Sequence, residues 1–215
     1  MFTGIVQARG RLQRLTKHGV DATVVVALGE LADQTIALGD SVATNGVCLT
    51  VTRLDSGCFE AEVSAETLKH TALGGLSVGA PLNLELAMQP TSRFGGHIVS
   101  GHVDGVGVIL EARPDGRSTR WQIQMPQEIA HYVAHKGSIT IDGVSLTVNT
   151  VGNDFFEVNI VPHTANNTLF DTYKVGHRVN LEVDVVARYL ERLLSARQSP
   201  QSLSYDTLLN AGFVK

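Results

Sequence analysis

The sequence predicts an all-β chain: two tandem antiparallel barrels or sandwiches of six short strands each, followed by one α-helix. Three observations carry this. A repeat with a fixed offset of 97 residues runs through the chain. Each copy holds β-branched runs punctuated by Gly, Asp and Asn, and a helical period begins only after the second copy has ended.

The repeat is clearest where Thr44–Thr52 (TNGVCLTVT) returns as Ile141–Asn149 (IDGVSLTVN). Each copy opens on Asn-Gly or Asp-Gly, the strongest short-range hairpin signal, and continues into an alternating strand. The same offset, without a gap, sets Gly4 on Gly101, Val6 on Val103, Gly10 on Gly107 and Ser41 on Ser138. Further on it sets Phe59-Glu60 on Phe156-Glu157, Thr67 and Thr71 on Thr164 and Thr168, and Val78–Glu85 on Val175–Glu182. A match this long without a slip in register marks a duplication. It predicts two domains of roughly 90 to 100 residues, each able to hold a core: residues 1–96 and 97–185, with 186–215 as helix and tail.

In the first half, strands are expected at Gly4–Leu15, Ala22–Leu28, Ser41–Ala43, Val47–Leu54, Phe59–Ser64 and Pro81–Leu86. Closure into a barrel would answer the problem of exposed edges. Ser64 reads as the N-cap of a short helix through Thr67 and Lys69. Ala87–Gly96 (AMQPTSRFGG) breaks both periodicities and reads as the linker. The second half repeats the programme with strands at Gly101–Ala112, Ser118–Met125, Ser138–Ile141, Val144–Val151, Phe155–Ile160 and Arg178–Val183. Pro126 opens an expected helix, Gln127–Ala134. Val186, Leu190, Leu193 and Leu194 then form an apolar helical stripe, which has two outlets, a self-complementary oligomer contact or its own barrel. Arg197–Ser202 reads as a flexible tail and Tyr205–Leu209 as a last helical turn.

Composition narrows the function. With 43% hydrophobic and 18% charged residues the chain is of globular type, and no apolar run approaches the roughly 18 residues of a membrane span. No signal peptide is read, so a cytoplasmic protein with free thiols at Cys48 and Cys58 is expected. A formal net charge of −4, with Lys and Arg scattered singly, leaves no basic patch for nucleic acid, and aromatic stacking platforms for RNA are missing too. His131 and His135 stand four apart on an expected helix but lack a third ligand at metal spacing. Gly4–Gly10 has neither the glycine spacing nor the following helix of a dinucleotide site.

Five stretches together are similar to the motifs of the alpha-chain riboflavin synthase family: Met1–Gln7 (MFTGIVQ), Asn45–Val51 (NGVCLTV), Gly95–Asp104 (GGHIVSGHVD), Asp142–Val148 (DGVSLTV) and Val179–Asp184 (VNLEVD). The resemblance runs from Met1 to about Leu194. It implies two six-stranded Greek-key barrels, a C-terminal helix and a homotrimer held largely by those helices. It also implies one 6,7-dimethyl-8-ribityllumazine per barrel. Two of these would meet in an active site between the N-terminal barrel of one subunit and the C-terminal barrel of a neighbour. The implied reaction is a dismutation in which one lumazine passes a four-carbon unit to the other, with no metal and no redox cofactor. Association with a lumazine synthase stays open.

Elementary chemistry favours such a design. Two homologous surfaces can hold two identical molecules face to face, supplying in advance an encounter entropy worth up to about 7–11 kcal/mol. Donor and acceptor must still differ, so positions where the repeats disagree draw attention: Cys48 against Ser145, Ile5 against His102, and Ala65-Glu66 against Pro162-His163.

Cys48 follows a tight turn where its sulfur can face a ligand, although a cysteine is as often a small buried hydrophobe; the family's active-site cysteine sits in this motif. His102 has the residue type for proton traffic at neutral pH, needed because the lumazine 7-methyl must lose a proton. Ser41 and Thr147 offer hydroxyls, and Asp184 matches a family acidic position. The resemblance further implies substrate contacts at Gly4, Ile5, Val6, Cys48, Leu49, Thr50, Gly101, His102, Val103, Lys136, Ser145, Leu146 and Thr147. The repeat-equivalent runs Glu62, Val63, Ser64, Ala65, Glu66, Thr67 and Asn159, Ile160, Val161, Pro162, His163, Thr164 complete the two pockets. After Thr71-Ala72-Leu73 comes Gly74-Gly75, but the second copy has Leu169-Phe170-Asp171 and no glycine until Gly176, so a differently shaped loop is expected there. The rival is a non-catalytic lumazine-binding protein of the same fold. The presence of Ser41, Cys48 and His102 favours the enzyme.

Overall fold

The computed structural model describes residues 1–197. The tail beyond Arg197 and the turn expected at Tyr205–Leu209 lie outside the described residues. Thirteen strands occur among them. In the first half they are β1 (Ala8–His18), β2 (Asp21–Ala27), β3 (Ser41–Thr44), β4 (Val47–Thr50), β5 (Arg53–Asp55), β6 (Cys58–Val63) and β7 (Pro81–Leu86). In the second half they are β8 (Gly105–Asp115), β9 (Ser118–Gln124), β10 (Ser138–Ile141), β11 (Val144–Val151), β12 (Phe155–Ile160) and β13 (Arg178–Val183). The described residues hold four α-helices: α1 (Ala65–His70), α2 (Gln127–Ala130), α3 (Pro162–Asn167) and α4 (Val185–Arg197).

The second half closes as a six-stranded barrel in the order β10-β11-β12-β9-β8-β13. All its pairings are antiparallel. The first half is a curled sheet, β4-β3-β7-β1-β2-β6-β5, whose two edge strands are consecutive in the chain. Val47–Leu54, expected as one strand, is split at Val51-Thr52. There the Val51 amide turns to Asp40 O at 2.8 Å and the Thr52 amide to Glu60 O at 2.8 Å. At the same place in the second copy β11 stays whole and slips register only between Val148 and Thr150. Repeat-equivalent irregularities also bend the long first strands, between Leu12 and Arg14 in β1 and between Ile109 and Glu111 in β8. An extra residue on one strand tightens the curl that barrels need.

Inward-facing side chains fill each half with its own core. Leu12, Val24, Val26, Phe59, Leu82 and Leu84 pack in the first, and Ile123, Ile139, Phe156, Val158, Phe170 and Leu181 in the second. Complete burial of such a side chain is worth roughly 1.5–3 kcal/mol. In the second core Trp121 stands edge-on to Phe170, with ring centroids 5.4 Å apart.

Three other expectations need correction. Gly4–Gln7 and Gly101–Asp104 are not strand, because Gly4 (φ +75°) and Gly101 (φ +81°) turn the backbone out of the ladder before β1 and β8 begin. The helix from Pro126 is a single turn, Gln127–Ala130. The Leu169–Asp171 stretch, without glycines, still forms a 3₁₀ turn, like Leu73–Gly75 in the first copy.

The two halves meet about a pseudo-twofold axis, and several residues on it face their own repeat equivalents. Phe2 and Val99 exchange backbone hydrogen bonds of 2.8 and 3.1 Å. At the hairpin tips, Gly46 and Gly143 abut so closely that a Cβ on either would stand 2.8 Å from the amide nitrogen of the other. Asn83 Nδ2 donates to Asp142 O (2.9 Å) while Asn180 Nδ2 donates to Asn45 O (2.8 Å). Self-complementary contact of this kind is what a twofold interface produces, here within one polypeptide. Helix α4 carries Val186, Leu190, Leu193 and Leu194 at exposed positions. Among the described residues no helix is long and apolar enough to cross a membrane.

Candidate functional site

The segments preceding β1 and β8 are exchanged between the halves, and this exchange builds two related sites. Gly101 O accepts from the Cys48 amide at 2.9 Å; Gly4 O accepts from the Ser145 amide at 2.7 Å. Just downstream, Val103 packs against the core of the first half and Val6 against that of the second. Each hairpin thus carries a strap from the other repeat.

A carboxylate anchors each strap. Glu85 Oε1 accepts from the Thr3 amide (2.7 Å) and hydroxyl (2.8 Å), and its Oε2 from the Gly4 amide (2.9 Å). Glu182 repeats this on Ser100 (2.7 and 2.7 Å) and Gly101 (3.0 Å). Burial pushes both carboxyls up from the ordinary carboxylate range, against the pull of these hydrogen bonds. Glycine is required at the crossing: a Cβ on Gly101 would lie 2.6 Å from Cys48 Cβ, and one on Gly4 2.6 Å from Ser145 Cβ.

Alternation along the hairpins decides which side chains are available. Ser41 pairs with Thr50 and Ala43 with Cys48, so Ser41, Cys48 and Thr50 share one face, while Val42 and Leu49 turn into the core. In the second half Thr140 pairs with Ser145 and Ser138 with Thr147, so Ser145 and Thr147 occupy the matching face. The structure therefore groups Ser41, Cys48 and Thr50 with Gly101, His102 and Val103. His102 is exposed and Cys48 half-buried. Beyond them, Glu62 is exposed and Val63 buried at the end of β6. Ser64 caps α1, accepting from the Thr67 amide at 3.2 Å, and the Ala65 amide donates to Asp21 Oδ1 at 2.8 Å. Glu66 is exposed and lies 3.1 Å from His70 Nε2.

The other site groups Gly4, Ile5 and Val6 with Ser145, Leu146 and Thr147. Thr147 is thus not brought to Cys48 and His102. Asn159 and the buried Ile160 end β12; Val161, Pro162, His163 and Thr164 begin α3. That helix was not read from the sequence, although Ser64 plus the repeat offset pointed to it, with proline supplying the first-turn preference in place of a capping serine. Lys136 is exposed, holds a positive φ of 62° and donates its amide to Val148 O (2.8 Å). Asp184 follows β13 and is half-buried.

The second site contains a residue for which no role was read from the sequence. His97 Nδ1 lies 2.7 Å from Ser145 Oγ, and its amide donates to Thr3 O at 3.1 Å. Burial pulls its imidazole down from the ordinary histidine range, partly opposed by the charge of Asp184. Glu85 and Glu182 were also missed, although their identity in both repeats was a signal.

A family model described as lumazine binding domain matches this chain twice, at residues 3–87 and 100–184. The riboflavin synthase of Photobacterium phosphoreum is 48% identical over 217 residues, 100% of each chain. That of Actinobacillus pleuropneumoniae is 46% identical, over 99% of this chain and 100% of its own. That of Bacillus amyloliquefaciens is 40% identical over 99% and 98%. Among solved structures, LumP complexed with riboflavin superposes with a TM-score of 0.79 at 23% identity, covering 85% of this chain and 99% of that one. LumP complexed with 6,7-dimethyl-8-(1'-D-ribityl) lumazine gives 0.76 at 22% over the same shares. At these identities the likeness is one of fold.

Proposed function

The chain belongs to the riboflavin synthase family, two lumazine binding domains in one polypeptide, and from this we propose that it converts two molecules of 6,7-dimethyl-8-ribityllumazine into riboflavin and 5-amino-6-(ribitylamino)uracil. One molecule gives up a four-carbon unit and the other takes it, so atoms balance without an added oxidant or reductant. The observation that carries the proposal is the pair of repeat-related sites, each a hairpin crossed by a strap from the other half. Such a pair can hold two copies of one substrate in related poses, which supplies the orientation a bimolecular step requires.

The sites differ where donor and acceptor must differ. In the first, His102 is the base for the 7-methyl proton and Cys48 the thiol beside the ring, with Ser41 supplying a hydroxyl. Thr147 and Asp184 serve the second, where the ring is oriented and its polar edge satisfied. The two straps of one chain pair with each other through Phe2 and Val99. In this reading the facing site comes from a neighbouring subunit, in a homotrimer that the exposed stripe of α4 would serve. A cytoplasmic location fits this role, and co-purification tests association with a lumazine synthase.

The purified chain, incubated with 6,7-dimethyl-8-ribityllumazine alone, is expected to produce riboflavin absorbance. Lumazine that binds and persists unchanged would instead mark a non-catalytic binding protein. Full-length identity to the synthases, together with Ser41, Cys48 and His102, favours the enzyme.

A further inference from the structure

The strap that carries His102 is tied to one strand at both ends. On the near side, Glu182 of β13 accepts from the Ser100 amide and hydroxyl at 2.7 Å each and from the Gly101 amide at 3.0 Å. On the far side, the Asp104 amide donates to Leu181 O at 2.8 Å, and Asp104 Oδ2 accepts from the Val183 amide at 2.7 Å. Three consecutive residues of β13 thus grip the backbone on either side of His102. Within the bridge the His102 amide donates to Ser100 Oγ across a long 3.3 Å contact, the turn a serine hydroxyl closes two residues on. The His102 side chain is exposed, so its imidazole takes its position from this backbone.

The first strap shows which part of the clamp is general. Gln7 stands where Asp104 does: its amide donates to Leu84 O at 2.9 Å, and its Oε1 accepts from the Leu86 amide at 2.9 Å. A neutral oxygen therefore closes the same bond, and the residue it closes over is Ile5, which has no ionisable group. The bond differs in its surroundings and its reach. Gln7 is exposed and Asp104 half-buried, and an aspartate, with fewer torsions than a glutamine, holds the backbone with less slack.

We propose that Asp104 is a positioning residue for His102: with Glu182 it clamps the strap to β13, so that the imidazole stands ready at the first lumazine site before substrate arrives. Orientation supplied in advance lowers the barrier to proton transfer, and a small displacement of the base forfeits it. Asp104 acts through the backbone and by its oxygen rather than its charge. This inference rests on the proposed reaction and on the part assigned to His102 in it.

The test compares Asp104→Ala, Asp104→Asn, His102→Ala and the Asp104→Ala/His102→Ala double variant in the full-length protein with 6,7-dimethyl-8-ribityllumazine. Asp104→Ala should lower kcat about fivefold or more with KM little changed. Asp104→Asn, which keeps an oxygen of the same reach, should recover most of the rate. On the His102→Ala background Asp104→Ala should cost nothing further, because the loss acts only through the imidazole. A general loosening of the strap would move Gly101 and Val103 as well and would persist on that background. Wild-type kcat in Asp104→Ala, an Asn variant as slow as the Ala variant, or losses that multiply in the double variant each overturn the proposal. Amide hydrogen exchange in the substrate-free wild type decides the matter even if Asp104→Ala fails to fold. Exchange at Ser100, Gly101 and Asp104 as slow as within β13 supports the clamp; exchange as fast as at exposed turns overturns it. Absence of product from the wild type defeats the assigned reaction itself, a separate result that leaves the exchange measurement to judge the clamp.

Discussion

The Asp142 carboxylate accepts a 2.5 Å hydrogen bond from the Tyr173 hydroxyl at the centre of the molecule, where the first repeat has Asn45 and Leu76. Asp142 and Asn45 otherwise do the same work. Asp142 Oδ1 accepts from the Asn180 amide at 2.8 Å, as Asn45 Oδ1 does from the Asn83 amide at 2.7 Å. An uncharged side chain therefore suffices for the turn, and the charge is an addition of the second repeat.

That charge makes stability depend on pH. Burial pushes Asp142 up to about 7, the Tyr173 and Asn180 hydrogen bonds only partly opposing it. A carboxyl raised above its unfolded value binds more protons in the native state. Its contribution is fully present below about pH 4 and lost as pH rises through about 7, at up to about 1.4 kcal/mol per unit. Asp142→Asn removes this slope. Urea unfolding at pH 5 and pH 8 should show the wild type losing more stability than the variant. Equal losses would disprove the assignment.

Replacing Gly101 by Ala should destabilise the fold by about 2–4 kcal/mol, combining a left-handed backbone with overpacking against Cys48. Gly116, with φ +62° and nothing within 4 Å of a built Cβ, should lose only about 1 kcal/mol in the same substitution. Thermal melts of the two variants make the comparison; similar losses would mean that the strap yields without resistance.

Glu85→Gln and Glu182→Gln should each destabilise by about 1–3 kcal/mol. An amide can offer only one acceptor oxygen where two carboxylate oxygens now meet strap N–H groups. The measurement is equilibrium unfolding, and by repeat symmetry the two losses should match within about 1 kcal/mol. A neutral outcome at either position would show that the strap is held by something else.

Cys48→Ser should keep the fold, because Ser145 occupies the equivalent position with the equivalent amide bond. Riboflavin formation should fall by roughly tenfold or more as the thiol's nucleophilicity is lost, and His102→Ala should fall similarly. Steady-state rates beside unchanged far-UV circular dichroism test both. Full activity in either variant removes that residue from the chemistry.

Arg9 and Asp171 form a two-pronged ion pair between the halves, at 2.7 and 2.9 Å, with both side chains about a third exposed. Solvent screening limits its worth to about 1 kcal/mol or less. Arg9→Ala should therefore shift the unfolding midpoint only slightly, and less at high salt. A loss of several kcal/mol would show that this pair, rather than the buried asparagines, fastens the halves.

Local chemistry was enough to make the strands, the hairpin tips, the Ser64 cap and α4 legible in the sequence. Asn45-Gly46 and Asp142-Gly143 accept positive φ, alternating Val, Leu and Ile suit a half-buried strand, and Leu190, Leu193 and Leu194 fall on one helical face. The gapless repeat also showed that whatever one hairpin does, the other does in related form. What lay beyond reach depends on partners far along the chain. Gly4 and Gly101 look like strand starts until Ser145 and Cys48 claim their carbonyls. Which hydroxyls and carboxylates share a site was likewise set by the exchange of straps, which sends Thr147 away from Cys48. His97 shows the limit most plainly: it lies outside the repeat, and only folding brings its imidazole to Ser145, because a hydrogen bond across 48 residues leaves no trace in either residue's local sequence.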